Sequence, residues 1–311
     1  MTVSVIICAY NRNASLVQAV ASVINQTTTP HEIIVVDDGS TPEVTLPDYR
    51  NLKLIRHGQN CGAAAARNTG IRAASGEYVA FLDSDDFWRP TKLENQRQLL
   101  LNAPSDVCGA FSAYKYHRED GALRAGVVKT PQVDDWLDYF CKGLRSGPGS
   151  TLMVKRRVFD DIGGFDEGME RLEDWDWLLR AARRFKFVTT ANVLSDVVCS
   201  GSPAPDLHLR ALDRIAGRHV ERMPNARYRR TLEAAIAIEA AAAHVHERRL
   251  IHAGQKVMAS LIAPRVVVGE LFRTVQMSLS QDHEQVARSN FDPIACCAPA
   301  SQWLRTAREM A

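Results

Sequence analysis

Residues 77–88 read EYVAFLDSDDFW, an apolar run that ends in three carboxylates within four positions. The run is typical of a buried strand, and the repulsion among Asp83, Asp85 and Asp86 at its end costs stability. Such a cluster indicates a bound cation, because hard divalent ions prefer carboxylate oxygens as ligands. The alternative is a turn whose acids are merely solvated, since a D-x-D pattern is short and common by chance.

Strand-like and helix-like segments alternate around this run. Strand patterns cover residues 3–10, 32–40, 51–57 and 77–83, and helical patterns cover residues 11–26, 62–75 and 92–101. This order predicts an α/β fold with a largely parallel sheet and helices on both faces. Ligands of such sheets bind beyond the carboxyl ends of the strands. In this sequence those ends carry polar residues, namely Tyr10, Asn11, Asp37, Asp38, Asp83, Ser84 and Asp85.

Two further segments can bind a nucleotide. In VVDDGS (35–40), Asp37 or Asp38 can accept hydrogen bonds from a base or from ribose hydroxyls, although either acid can instead be structural. In GAAAARNTG (62–70), Arg67 can contact a phosphate or pair with an acid at the strand ends. The segment lacks the GK[ST] of a P-loop and the GxGxxG of dinucleotide-binding folds, which disfavours both classes of protein.

The segment EDWDW (173–177) begins a predicted helix with acids beside two tryptophans. Aromatic surroundings remove water from a carboxylate and raise its pKa, which suits a general base, and tryptophan faces suit sugar rings. The alternative is an amphipathic helix whose first-turn acids interact with the helix dipole while Trp175 or Trp177 lies in the core.

Composition predicts a soluble globular protein. The 311 residues are 46% hydrophobic and 24% charged, and the net charge of +2 provides no global field for binding nucleic acid or a membrane. The seven cysteines form no CxxC pair, which favours reduced thiols in the cytoplasm. We expect no signal peptide before VSVIICAY and no membrane-spanning helix, because no apolar stretch reaches about 18–20 residues.

Six motifs in order make the chain resemble a known family. They are VSVIICAYNR, IIVVDDGS, NCGAAAARNTGI, GEYVAFLDSDDFW, GGFDE and EDWDWLLR. Together, over roughly residues 1–200, they resemble the family 2 glycosyltransferases, enzymes of the GT-A fold that transfer sugars from nucleotide donors. The resemblance implies inversion by a single displacement, a UDP-sugar as donor, and a glycan or lipid-linked acceptor in the assembly of a surface polysaccharide or another glycan.

The resemblance also implies roles for individual residues. Asp83 and Asp85 would form the D-x-D that holds Mn²⁺ or Mg²⁺, with Asp85 as the more direct ligand, and Asp174 would be the catalytic base. The residues that would bind the donor are Cys8, Ala9, Tyr10, Asn11, Asp37, Asp38, Arg67, Asp83 and Ser84. Those on the acceptor side would be Glu173, Trp175 and Trp177.

A Pro/Gly/Ser-rich break at residues 200–206 divides the chain. We predict a GT-A catalytic domain over residues 1–203 and a mainly helical region over residues 204–311. The second region is expected to serve the acceptor side, a homodimer or a peripheral contact with the inner face of the membrane.

Three arginines of this second region recur at helical spacing, namely Arg210, Arg214 and Arg218. They form either a solvated face or a contact for anionic lipid.

One motif of the family is missing. Relatives commonly carry a histidine after the last strand, where it can help to hold the diphosphate or the metal. Here the segment reads SDVVCSGSPAPDLH (195–208), which leaves His208, at a different spacing, as the candidate replacement. The missing histidine favours an alternative function, namely a non-catalytic module of this fold that binds nucleotide or glycan. A nucleotidyltransferase is a third hypothesis, although CAYNRNAS (8–15) lacks the glycines that its phosphate loop needs.

Overall fold

The computed structural model describes residues 1–46, 48–118, 123–128, 130–143, 148–199 and 204–246, and these contain one mixed sheet. The strands are β1 (Val3–Ala9), β2 (Glu32–Asp37), β3 (Leu52–Arg56), β4 (Tyr78–Asp83), β5 (Phe87–Trp88), β6 (Val107–Arg118), β7 (Leu123–Val128), β8 (Met153–Lys155) and β9 (Lys186–Cys199). The helices are α1 (Asn13–Ile24), α2 (Ala63–Ala73), α3 (Lys92–Leu101), α4 (Trp136–Cys141), α5 (Pro148–Thr151), α6 (Arg157–Ile162), α7 (Glu173–Ala181), α8 (Pro205–His219) and α9 (Ala226–His246), with a 3₁₀ turn at Val220–Arg222.

The N-terminal half of the sheet is parallel, as predicted. β2 and β4 both pair with β1 in parallel, and β3 pairs with β2 in the same way. In this register Ala9 lies opposite Asp37, and Cys8 lies opposite Asp83. The carboxyl ends of β1, β2 and β4 therefore meet at one edge of the sheet, which brings together the polar residues that follow them.

The other half of the sheet is mixed. The strand order is β3-β2-β1-β4-β8-β6-β9-β5, with β7 paired to β6. β8 pairs antiparallel with both β4 and β6, whereas β6 runs parallel to β9. The two-residue β5 pairs antiparallel with β9. The predicted α/β class is confirmed, and the antiparallel pairs are an additional feature, because the residue pattern of a strand does not encode its direction.

Each face of the sheet carries its own apolar core. On β1, Val5 and Ile7 pack in one core with α1 and α3, whereas Ile6 belongs to the core on the opposite face. The second core also contains side chains of α2, α4, α6, α7 and α8. This alternation follows from the period of two along a strand, and the near-continuous burial of β1 and β2 is typical of parallel strands covered on both faces.

Residues 205–246 form α8, the 3₁₀ turn and α9, with a short bend at residues 223–225 between the turn and α9. α8 and α9 place apolar side chains, among them Leu212, Ile215 and Leu232, in the second core. The domain boundary itself stays a prediction, and residues 247–311 lie outside the described part of the chain. Among the described residues, every helix is too short or too polar to cross a bilayer.

Candidate active site

A cleft of about 570 Å³ opens at the carboxyl edge of the parallel strands. Its walls come from the ends of β1, β2 and β4, the start of α2 and the loop that leads into α7. Ten of the predicted site residues line it, namely Cys8, Ala9, Tyr10, Asp38, Arg67, Asp83, Ser84, Asp85, Glu173 and Asp174. The fold thus brings into one cavity the motifs that the sequence places far apart.

Arg67, on α2, connects two of the acidic motifs. Its guanidinium donates to Asp83 Oδ1 at 3.0 Å and to Glu173 Oε1. Burial alone would lower the pKa of Arg67, but the charges of Asp83 and Glu173 raise it well above its ordinary value. Of the two roles open to this arginine, the structure shows the pairing with acids at the strand ends.

Asp83 and Asp85 line the cleft, whereas Asp86 does not. Arg12, which follows β1, donates to Asp85 Oδ2 at 2.7 Å. Asp86 is buried and accepts a hydrogen bond from the backbone N–H of Val198 at 2.7 Å. Burial, followed by the charges of Asp83 and Asp85, raises the pKa of Asp86 well above its ordinary value. Two of the three acids therefore belong to the cleft, and the third attaches this turn to β9.

Asp38 lies in the same cleft and is held by a dense set of hydrogen bonds. Its Oδ1 accepts from the backbone N–H of Cys61 at 2.9 Å and lies 2.7 Å from His57 Nδ1. Its Oδ2 accepts from the backbone N–H of Gly62 at 2.8 Å. Gly62 has a φ of 92°, a conformation that favours glycine, and this turn directs its N–H to the carboxylate. The side chain of Asp38 is therefore fixed in place before any ligand binds.

Asp174 lies in the first turn of α7, in surroundings that suit a proton acceptor. Burial, followed by the charge of Glu173, raises the pKa of Asp174 to about 7, although Arg67 opposes the shift. Asp174 also lines a small cavity with the rings of Phe165 and Trp177, so aromatic carbon contributes to its dehydration. A carboxylate with a pKa near neutrality can accept a proton efficiently at neutral pH.

The loop before α7 contains a strained residue. Leu172 has a φ of 58°, in the left-handed region that bulky residues rarely adopt. Together with Glu170 and Arg171, it lines the cleft. The unusual backbone at Leu172 lies where the chain enters α7, and the first two residues of this helix, Glu173 and Asp174, face the cleft.

The cleft carries an excess of negative charge. Its lining residues contribute six carboxylates and three guanidinium groups. Asp83, at the end of β4, and Asp85, two residues later, offer the hard oxygen ligands that Mg²⁺ and Mn²⁺ prefer. The residues present therefore fit a divalent cation held by Asp83 and Asp85.

Two residues predicted to bind the donor do not line the cleft, Asp37 and Asn11. Asp37 is 1% exposed, accepts from the backbone N–H of Ser40 at 2.9 Å and pairs with Arg56. Burial alone would raise the pKa of Asp37, but the hydrogen bonds of Ser40 and the charge of Arg56 lower it. Asn11 has a φ of 52°, and its side chain accepts from the backbone N–H of Thr41 at 2.8 Å. Both side chains hold the turns around the cleft instead of facing it.

The prediction that Trp175 and Trp177 lie on the acceptor side is wrong. Both are 0% exposed, because α7 is buried around most of its circumference. The Trp175 indole N–H donates to the carbonyl of Phe140 at 2.8 Å, and the Trp177 ring stacks on Phe159 with 4.9 Å between centroids. The alternative interpretation, in which the tryptophans are core residues, is correct. Glu173, the third residue of that prediction, does line the cleft.

His208 does not line the cleft either. It lies on α8, where its Nε2 is 3.5 Å from Glu239 Oε2 on α9. Among the described lining residues there is no histidine at all. His208 therefore does not replace the histidine that the segment after β9 lacks.

Two arginines that the sequence reasoning did not select line the cleft, Arg12 and Arg171. Arg12 belongs to the motif VSVIICAYNR, which could have indicated it. Arg171 lies one residue before Leu172, and its Nε is buried without a hydrogen-bond partner among the described residues. Burial lowers the pKa of Arg171, although the charges of Glu173 and Asp174 oppose this shift. No sequence motif marks Arg171.

Comparison with known proteins agrees with this geometry. The model of the family described as Glycosyl transferase family 2 matches residues 4–163. The uncharacterized glycosyltransferase YwdF of Bacillus subtilis (strain 168) is 30% identical over 233 residues, which are 70% of this chain and 84% of YwdF. The UDP-Glc:alpha-D-GlcNAc-diphosphoundecaprenol beta-1,3-glucosyltransferase WfaP of Escherichia coli is 37% identical over 134 residues, which are 42% of this chain and 51% of WfaP. Four other bacterial glycosyltransferases are matched over 28% to 63% of their own length.

Solved structures resemble this one in fold. Residues 1–349 of S. aureus TarS in complex with UDP-GlcNAc give a TM-score of 0.60 at 19% identity, over 92% of this chain and 93% of that chain. The mannosyltransferase PcManGT from Pyrobaculum calidifontis, in complex with GDP-Man and Mn²⁺, gives a TM-score of 0.54 at 18% identity, over 98% of this chain and 84% of that chain. The predicted GT-A fold is confirmed by this likeness.

Proposed function

Because this chain belongs to glycosyltransferase family 2, we propose that it moves a sugar from a UDP-sugar to a hydroxyl of a glycan or lipid-linked acceptor, with inversion at the anomeric carbon. The assembly of a surface polysaccharide is the setting that we favour. One observation carries the proposal, namely that Asp83 and Asp85 share a single cleft with Asp174. A donor diphosphate and an acceptor hydroxyl can therefore meet between them.

The names of the relatives support the classes of substrate. WfaP, by its name, takes glucose from UDP-Glc and acts on a GlcNAc-diphosphoundecaprenol. TarS is similar in fold and has been solved with UDP-GlcNAc. A second relative, the glycosyltransferase AmsB, is named for amylovoran biosynthesis. These names are the reason for choosing a UDP-sugar as donor and a polysaccharide precursor as acceptor.

On the donor side, Asp83 and Asp85 would hold a Mn²⁺ or Mg²⁺ ion. When bound, such a cation stabilises the negative charge that develops on the departing diphosphate. Arg67 orients Asp83 and Arg12 orients Asp85, so that both carboxylates are pre-positioned. Arg171 would supply a further positive charge to the diphosphate, in the place of the missing histidine.

On the nucleotide side, Tyr10 and Asp38 offer two different contacts. Tyr10 is 45% exposed in a cleft-lining position, which leaves its ring available for stacking on a base. The Asp38 carboxylate is fixed by the N–H groups of Cys61 and Gly62 and would accept a hydrogen bond from the base. Cys8 and Ala9, at the end of β1, also line the cleft.

On the acceptor side, Asp174 would act as the general base. It removes the proton from the acceptor hydroxyl as that oxygen attacks the anomeric carbon, and the bond to the diphosphate oxygen breaks on the opposite face. The proton remains on the Asp174 carboxyl, and the electron pair leaves with the nucleoside diphosphate. A single displacement of this kind inverts the anomeric configuration.

Nucleotide release from a panel of UDP-, GDP- and TDP-sugars, measured with Mn²⁺ or Mg²⁺, tests the proposal. We expect turnover of a UDP-sugar with metal and none in EDTA.

Asp174→Asn should keep donor binding but lose about 10²- to 10⁴-fold in transfer, since that is the usual contribution of a general base. Asp85→Ala should lose metal-dependent donor binding, whereas Asp160→Asn, at an exposed acid of α6, should behave as the wild type. Absence of turnover with every donor, or full transfer by Asp174→Asn, would contradict the proposal.

A non-catalytic binding module remains the second candidate, because the described lining of the cleft contains no histidine. This alternative predicts that a nucleotide-sugar binds with metal but is not turned over in the same panel. Binding by calorimetry together with unchanged donor after prolonged incubation would favour it over the enzyme.

A further inference from the structure

A second concave surface lies beside the cleft and is lined by arginines. Two cavities of about 750 and 430 Å³ share Arg218 and Arg222 and form one groove between α8, the end of α7 and the loop over residues 163–172. We call it the arginine groove, defined by Arg180, Arg183, Arg210, Arg214, Arg218 and Arg222. None of the roles proposed above uses these side chains.

Two carboxylates hold three of the arginines in place. Asp176 accepts from Arg180 Nε at 2.9 Å and from Arg218 Nη1 at 3.0 Å. Asp166 accepts from Arg218 Nη2 at 2.7 Å, and its Oδ2 lies 3.6 Å from Arg214 Nε. These acids fix the frame of the groove. Glu170 and Asp213 also line it, so the six arginines outnumber the four carboxylates around the groove and leave an excess of positive charge.

Arg183 and Arg222 carry the remaining charge. Within the described residues, neither makes an ion pair with a carboxylate. Arg183 Nη2 lies 3.0 Å from His219 Nδ1, and Arg222 donates to the carbonyl of Arg218 at 3.2 Å. Burial lowers the pKa of Arg183, and the positive charge of Arg222 acts in the same direction, which means that the two guanidinium groups repel each other. An anion bound between them would relieve this repulsion.

The arginine groove is contiguous with the catalytic cleft. Glu170 lines both cavities, and its carboxylate lies 3.6 Å from Arg210. Helix α7 also spans the two sites, with Asp174 in its first turn and Arg180 in its last, about 9 Å apart along the helix axis. A single ligand can therefore present a hydroxyl to Asp174 and an anionic group to the groove.

We propose that the arginine groove binds a phosphate or diphosphate group of the acceptor. Guanidinium groups bind phosphate oxygens through paired hydrogen bonds, and the concave shape fits a discrete group better than the plane of a membrane. The donor diphosphate is assigned to Asp83 and Asp85, so the groove is a separate anion site. This orientation of the acceptor, with its phosphate in the groove and its hydroxyl at Asp174, rests on the proposed function, in which Asp174 is the base.

Calorimetric titration of the full chain with inorganic pyrophosphate tests the site. EDTA is present throughout, so that metal-dependent binding in the catalytic cleft is removed. We expect R183Q/R222Q to lose at least about tenfold in affinity, because charge-assisted hydrogen bonds are among the strong ones. R184Q removes an exposed arginine that directly follows Arg183 but lies outside the groove, and it should bind as the wild type does. Equal affinity in the wild type and R183Q/R222Q, or no binding by the wild type, would overturn the proposal.

Vesicles distinguish an acceptor phosphate from a lipid headgroup. The wild type and R183Q/R222Q are sedimented with vesicles of phosphatidylglycerol or of phosphatidylcholine. If the substitutions abolish binding to the anionic vesicles but leave pyrophosphate affinity unchanged, the groove binds membrane headgroups and the proposal fails. Thermal unfolding monitors the fold of the variant, and R222Q alone, at an exposed position, replaces the double variant if that does not fold.

Donor hydrolysis separates this inference from the proposed function. We expect R183Q/R222Q to hydrolyse the donor at the wild-type rate, because neither arginine lines the catalytic cleft. A wild type that binds pyrophosphate through Arg183 and Arg222 but hydrolyses no donor would contradict the proposed function and support the anion site. A wild type that hydrolyses donor but binds no pyrophosphate would overturn the anion site alone.

Discussion

Arg67 contacts the carboxylates of two acidic motifs that lie 90 positions apart in the chain, at Asp83 and Glu173. A buried guanidinium between two acids lowers the repulsion that these acids would otherwise impose on Asp174. Arg67 is therefore a positioning residue, and its charge controls the proton affinity of the proposed base.

Arg67→Gln should shift the acidic limb of the pH–rate profile to higher pH. Asp174 must be deprotonated to act, so activity of the wild type should rise as the pH passes through about 7. Removal of a nearby positive charge favours the protonated carboxyl and raises its pKa further. The measurement is kcat/KM for donor and acceptor across pH 5 to 9.

The matched control for this variant is Arg72→Gln, an arginine on the same helix with a side chain that is 65% exposed. The acidic limb of its pH–rate profile should lie at the same pH as that of the wild type. A limb that does not move in Arg67→Gln would contradict the coupling between Arg67 and Asp174.

At the level of single residues, the sequence predicted most of the cleft but not its geometry. Motifs identify residue types, and ten of the selected residues do line the cavity. The motifs do not show which of two adjacent acids faces the cleft. Asp37 is the last residue of β2 and Asp38 follows it, yet only Asp38 lines the cleft, since successive side chains at the end of a strand point in different directions. Arg171 was missed because a lone arginine in a loop carries no pattern.

At the level of elements, β9 (Lys186–Cys199) shows what a residue pattern cannot resolve. Over residues 186–198 the residue pattern fits either two strands or one strand with a turn. The structure has one strand of 14 residues, with register shifts against β6 that leave residues 191 and 192 unpaired. The Ala191-Asn192 pair is thus an irregularity within one strand and not a turn between two strands. Helix α4 (Trp136–Cys141) was also not predicted, because all its residues are buried and no amphipathic period exists.

A buried charge cluster on β9 joins three strands. Asp196 is 0% exposed, and its carboxylate contacts Arg89, just after β5, and His117 Nε2 on β6, at 2.6 Å in each case. Removal of one partner from such a cluster leaves a buried charge without compensation, which typically costs about 3–5 kcal/mol.

Asp196→Ala should therefore lower the free energy of unfolding by about 3–5 kcal/mol. Urea denaturation followed by circular dichroism measures this change. Asp213→Ala, at an exposed position of α8, serves as the control and should stay within about 0.5 kcal/mol of the wild type. A loss in Asp196→Ala no larger than that of the control would show that the cluster does not hold the strands together.

At the level of the whole molecule, Asp176 attaches α7 to α8. It is 0% exposed and contacts Arg180 on its own helix and Arg218 and His219 on α8. Burial alone would raise the pKa of Asp176, but the hydrogen bond from His219 and the two arginine charges lower it to about 2. α7, which carries the proposed base, is thereby joined to α8 by one carboxylate.

The stability contributed by Asp176 should disappear in acid. Its folded pKa of about 2 lies below the ordinary value of 3.8, so the contribution is complete above about pH 4 and is lost as the pH falls towards 2. The shift corresponds to about 2 kcal/mol. Asp176→Asn should therefore be less stable than the wild type at pH 6, and the difference should shrink steadily between pH 4 and 2.

Urea midpoints at each pH measure this difference, and Asp213→Asn provides the control. A difference in stability between wild type and Asp176→Asn that is constant from pH 6 to pH 2 would contradict the assigned role.

His219 acts in the same sense at milder pH. Burial lowers the pKa of His219, so the stability that it contributes is lost as the pH falls below its ordinary pKa of 6.5.

The placement of the tryptophans gives the protein an internal optical probe. Trp88, Trp136, Trp175 and Trp177 are each at most 3% exposed, so their fluorescence should be blue-shifted in the folded chain and move to longer wavelength when the cores open. Trp177 shares a small cavity with Asp174, and a charge next to an indole changes its emission. Trp177, whose ring was expected to meet a sugar, can therefore report, without any label, on the ionisation of the proposed base.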